Sequence, residues 1–156
     1  MEPAAGTGFA LRIERAIAAP PEQVFDAFTR AETLGRWFGP SEAYSSDVLE
    51  CDARSGGRWS LDMRHTGGNV HRVGGEYRAV EPPKRVVFTM AWPDRPELGH
   101  SLVTVTLSAT ATGTLLVLVQ EQLPDAASRD AHHGGWSGSL PRLAVLLEST
   151  PNPSEA

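Results

Sequence analysis

Five histidines, one cysteine and a few carboxylates near the ends of apolar runs are what this 156-residue chain offers to chemistry. His65 and His71 flank a Gly-Gly-Asn turn, and His132 and His133 stand side by side later in the chain. A structural or catalytic metal wants three or four ligands converging at about 2 Å. No short spacing of that kind is present, so neither a metal nor another cofactor is expected. Glu121 ends the last apolar run with Gln120 beside it, and it is one candidate for a general base; His65 and His71 are the others. A carboxyl held in apolar surroundings keeps its proton to higher pH and so becomes a usable base. Cys51 has no evident histidine partner, which leaves a nucleophilic thiol without support. Gly67-Gly68 and Gly74-Gly75 read as turns that open no helix, so they form no phosphate-cradling loop.

These groups have to be held by strands and helices that the apolar pattern marks out. Residues 9–18 put Phe9, Leu11, Ile13 and Ile17 on one side in near alternation, which predicts a strand. Pro20-Pro21 then sets up a helix start, with Val24, Phe25 and Phe28 at helical spacing. Leu34, Trp37 and Phe38 predict a second short helix, ended by Gly39-Pro40. Six further strands are expected, at about 44–52, 58–65, 70–80, 85–92, 102–109 and 114–122. In the second of these, Trp59, Leu61, Met63 and His65 share one face and Arg58, Ser60, Asp62 and Arg64 the other. Gly74-Gly75 is expected to bulge or bend its strand. The last strand is apolar on both faces, so Leu115, Val117 and Val119 suggest a homodimer contact or another interaction surface. A long helix over about 125–148 closes the chain, and Pro141 is expected to kink it.

Composition narrows the partners. The formal net charge is −5 and the fourteen basic residues are scattered, which argues against nucleic acid and against an anionic membrane surface. No apolar run approaches the roughly 20 residues that would span a bilayer. A single cysteine fits a reducing cytoplasm. Residues 1–8 and 150–156 read as tails around a single domain at 9–149.

The order of elements and its punctuation resemble the SRPBCC (START-like, helix-grip) superfamily. Within it, the chain is similar to bacterial proteins related to the C-terminal domain of the heat-shock protein 90 ATPase activator. The likeness rests on Arg15-Ala16-Ile17 followed by Ala19 to Phe25, on Leu34 to Trp37, and on Asp52 to Gly57 with Met63. Gly75-Glu76-Tyr77, Pro82-Pro83, Val86 to Thr89, Gly113-Thr114, Gly135-Trp136 and Leu140 to Leu143 complete it.

The resemblance implies an α+β fold, in which a curved antiparallel sheet of six to seven strands wraps around a long C-terminal helix. Two short helices would follow the first strand. It further implies an internal cavity for a small apolar or aromatic molecule, lipid- or polyketide-like, between the concave sheet face and the helix. Carried over by strand alternation, the lining would comprise Trp37, Trp59, Met63, Tyr77, Phe88, Met90, Trp92, Gln120, Trp136 and Leu140. The functions implied are ligand binding; a cyclase, dehydratase or hydrolase acting in the same pocket; or a chaperone-linked or sequestering interaction module.

Overall fold

A computed structural model describes residues 8–149. The strand β1 (Phe9–Ile17) leads into α1 (Pro21–Thr29) and α2 (Ala31–Trp37). Six strands follow: β2 (Tyr44–Cys51), β3 (Arg58–His65), β4 (Val70–Glu81), β5 (Arg85–Ala91), β6 (His100–Thr110) and β7 (Gly113–Leu123). A short 3-10 turn, Pro96–Leu98, lies between β5 and β6, and α3 (Ala126–Ser149) ends the described chain. The expected tails at 1–7 and 150–156 lie outside the described residues.

All seven strands form one antiparallel sheet in the order β1-β7-β6-β5-β4-β3-β2. It is a meander whose first strand has come back to pair with the last. That return leaves α1 and α2 bridging the two sheet edges, so they plug one end of the trough that α3 covers lengthwise. The inward side chains alternate as a half-buried sheet requires. Trp59, Leu61 and Met63 on β3, Val86, Phe88 and Met90 on β5, and Leu116, Leu118 and Gln120 on β7 are all buried.

Two local expectations change. Gly74 and Gly75 make no bulge; β4 keeps its register through them, and the shift against β5 falls between Tyr77 and Ala79. The two glycines serve close approach instead. A Cβ on Gly75 would sit 2.0 Å from the Thr89 carbonyl oxygen, and one on Gly74 2.6 Å from that of Trp59. Phe9 leaves the apolar face of β1 because the register slips between Phe9 and Leu11. Its ring lies exposed under the Arg129 guanidinium, 5.3 Å away. Pro141, where a kink is expected, lies inside α3. On β7, Leu115, Val117 and Val119 do lie on the outer face, but each is already half-buried in this single chain.

The start of α3 is fixed by Asp125, whose carboxylate accepts the Ser128 N–H at 2.8 Å as an N-terminal cap. Further along, α3 lies hard against the loop after α2. A Cβ on Gly138 would stand 2.0 Å from the Pro40 carbonyl oxygen, so only glycine lets these backbones meet. The Gly39 N–H donates to Ser139 Oγ, and Arg142 donates back to the Gly39 carbonyl. At the far end the Ala18 N–H donates to the Glu148 carboxylate.

Candidate functional site

The interior beneath α3 divides into a solid part and a hollow part. In the solid part, next to α1 and α2, aromatic rings meet edge to face. Phe28–Trp37 centroids are 5.0 Å apart, Trp59–Phe88 5.4 Å and Tyr77–Phe88 6.3 Å. These separations and tilts are the ones that aromatic quadrupoles favour. The polar handles of the rings are satisfied locally. Trp37 donates to the Ala27 carbonyl, Trp59 to that of Thr89, and Tyr77 to that of Phe28. Burial pushes the Tyr77 phenol far up, so it stays a neutral donor. The gap left among Phe28, Leu34, Phe38, Trp59, Tyr77 and Phe88 is about 10 Å³, no more than one water needs.

Phe38 is the partition. Its ring stands 5.8 Å from that of Trp136, and beyond this pair the trough opens into a cavity of about 190 Å³. The floor is Met63 and Met90, with Trp92 and Leu98 on one side and Trp136 on α3 above. From α3 the cavity also meets Ala131, His132, Gly135 and Ser139; Tyr44, His71 and Arg95 stand around it as well. Positions 131, 135 and 139 recur every four residues and so fall on one helix face. All three are small, which is why this stretch of α3 leaves volume that its Leu140, Leu143 and Leu147 turns fill.

Trp136 holds α3 down over the sheet. Its indole N–H donates to Gln120 Oε1 at 2.8 Å, and Gln120 Nε2 donates to Ser101 Oγ at 2.8 Å. Gln120 is fully buried and spends its amide on this chain, so it braces the site and does not border the open volume. A second clamp ties α3 to the 92–99 loop. Trp92 Nε1 donates to His132 Nε2 at 3.0 Å, and His132 Nδ1 lies 2.8 Å from the Ser128 carbonyl oxygen. Ser128 Oγ in turn donates to the Leu98 carbonyl.

An indole N–H can only donate, so His132 Nε2 must be the bare nitrogen and Nδ1 the protonated one. Burial lowers the His132 pKa from its ordinary 6.5. The folded chain therefore takes up this proton at lower pH than the unfolded chain. Stability that is complete above about pH 6.5 is then lost as pH falls from there toward the depressed folded value. Thermal melts at pH 7.5 and pH 5 should show a fall in Tm for the native protein, and a smaller one for His132→Gln. Equal falls would remove the clamp from this role.

Of the residues expected to line a pocket, Met63, Met90, Trp92 and Trp136 border the cavity. Trp37, Trp59, Tyr77 and Phe88 belong to the solid part because α1 and α2 press on that end, and Leu140 packs one turn past the opening. Glu121 is on the outer sheet face, since Gln120 before it points inward and strand neighbours alternate. It cannot act in the cavity. His65 stays at the sheet rim, its ring 4.8 Å from Tyr44 and its Nδ1 accepting the Gly67 N–H. His71 borders the cavity. Among the described residues, no three of His, Cys, Asp and Glu come together as a metal site. No described helix is long and apolar enough to cross a membrane.

The outer sheet face carries a broader hollow of about 510 Å³ around Arg58, Arg72, Glu76 and Arg78. Its arginines are occupied: Arg58 lies near Glu50, and Arg72 and Arg78 pair with Asp62 and Glu76. It is a solvated, self-neutralised surface.

This architecture has many solved counterparts. A protein of Chromobacterium violaceum matches with a TM-score of 0.83 and 35% identity, over 90% of this chain and 98% of that one. An AHSA1 protein from Silicibacter pomeroyi matches at 0.78 and 29%, over 90% and 98%. One from Nitrosomonas europaea matches at 0.74 and 26%, over 89% and 94%. No curated protein matches the sequence. The family model described as activator of Hsp90 ATPase homolog 1-like protein matches residues 18–148, from the end of β1 to the last turn of α3. With that match over most of its length, the chain belongs to the activator of Hsp90 ATPase homolog 1-like family.

Proposed function

We propose that this protein is a non-enzymatic binder of a small, mainly apolar ring compound, held between α3 and the sheet. One observation carries the reading: a 190 Å³ volume walled by Met63, Met90, Trp92 and Trp136 lies beside a core packed to within the size of one water. Interiors are normally close-packed, and a hollow of this size forfeits dispersion contacts all along its lining. A cavity of about 150 Å³ takes benzene, so this one suits a ring compound of about eight to ten heavy atoms. Thioether side chains tolerate rings of varied outline, and indole faces stack on them.

Catalysis has little to draw on. Of the three candidate bases only His71 borders the volume, and both nitrogens of His132 are occupied. A reaction would rest on one half-buried imidazole. A cytoplasmic setting goes with this reading, since Cys51 calls for no oxidising compartment.

The test is isothermal titration with 4-ethyltoluene. A ligand of about nine heavy atoms gaining about 0.7 kcal/mol per atom reaches a Kd on the order of 10 µM. Saturable binding near that value is expected. No heat and no change in tryptophan emission, from protein shown to be folded, would reject the role.

A further inference from the structure

The polar atoms around the cavity are distributed unevenly, and the unevenness describes the ligand. Along the wall made by Trp92, His132 and Trp136 every polar atom is already used within the protein. That wall offers a guest only ring faces and hydrocarbon. Tyr44, His71 and Ser139, which also border the cavity, differ. The Tyr44 hydroxyl and the His71 imidazole have no hydrogen-bond partner among the described residues. Ser139 Oγ accepts the Gly39 N–H and keeps its own hydrogen to give. Behind Tyr44 the half-buried Arg142 guanidinium donates to the carbonyls of Gly39 and Tyr44, with no carboxylate paired to it among the described residues.

Among the described residues no Asp or Glu borders the cavity, although the chain carries 19 acidic residues against 14 Lys and Arg. Arg95 at the rim has its charge answered by Glu97, which stands outside the lining. Among the described residues the rim therefore offers several donors and no carboxylate, and is backed by the Arg142 cation without an acidic partner.

We infer that the ligand is an aromatic acid, its ring between Trp92, Trp136 and the two methionines and its carboxylate toward Tyr44, His71 and Ser139. This rests on the binding role proposed above. An anion entering there exchanges water for charge-assisted hydrogen bonds, which are the stronger kind. An ammonium group there finds hydroxyl and imidazole lone pairs but no carboxylate, and it faces the Arg142 charge, so its lost hydration is less well replaced.

Three compounds with one ring and different ends separate the possibilities: 4-ethylbenzoate, 4-ethylbenzylamine and 4-ethyltoluene, titrated at pH 7.5. The acid is expected to bind about tenfold tighter than the amine and severalfold tighter than the hydrocarbon. In the double variant Tyr44→Phe, His71→Leu the acid should fall to the hydrocarbon's level. The comparison is made within the variant, acid against hydrocarbon, and circular dichroism reports that the variant is folded. If amine and hydrocarbon bind as tightly as the acid, the inference is overturned and the binding role stands. If none of the three binds, both fall.

Discussion

Trp37→Ala should destabilise the protein by about 3–5 kcal/mol, the usual range for removing a fully buried indole. The side chain has no exposed surface, touches the Phe28 ring edge to face and donates to the Ala27 carbonyl. Truncation leaves both a void and a buried carbonyl without its donor, and the second loss is costly in itself. Domains have about 5–15 kcal/mol in total, so the variant would sit near the threshold of folding. The expected fall in Tm is about 10–20 °C, read by calorimetry. Trp37→Phe keeps most of the ring packing and should lose less than half as much. A Trp37→Ala protein melting within a few degrees of the native one would show that this end of the trough is not the solid plug described above.

The second large effect is on binding, and here stability should move the other way. Gly135 lies on the α3 stripe of Ala131, His132, Trp136 and Ser139 that borders the cavity. A Cβ built on it meets nothing within 4 Å, and its φ is not in the left-handed region, so no packing or backbone demand explains glycine there. In a helix interior glycine costs about 1 kcal/mol relative to a good helix former. Gly135→Leu should therefore raise Tm by a few degrees, while its side chain fills the volume a ligand would occupy. Affinity for 4-ethyltoluene should fall by more than tenfold. A variant that is stabilised but binds as before would place the ligand elsewhere, and a strongly destabilised one would mean the space is not open.

The contrast between Trp37 and Gly135 shows what was legible in the sequence. Alternation identified the inward faces of β3 and β5, so Trp59, Met63, Phe88 and Met90 all point into the trough as read. Alternation carries no information about depth along it. Trp59 and Met63 are four residues apart, about 13 Å of strand, and that distance takes one to the plug and the other to the cavity. What decides is where α1 and α2 press, a tertiary matter outside any local period. Glu121 reads as a candidate base beside Gln120, although adjacent strand residues face opposite ways; that much was readable. So was the 131, 135, 139 spacing of small residues on α3, a direct sign of a helix face that leaves room. The Trp92–His132 bond joins residues 40 positions apart, and nothing in either neighbourhood announces it.

Met63 and Met90 are the floor of the proposed site, and their methyl groups report on it without any substitution. With methyl-labelled methionine and 4-ethyltoluene as the probe, both resonances should move progressively and saturate together, at the concentration where titration heat saturates. The same addition to Gly135→Leu should leave them in place. If both methyls stay fixed in the native protein up to the solubility of the probe, or move alike in the filled variant, the space beneath α3 takes no ligand.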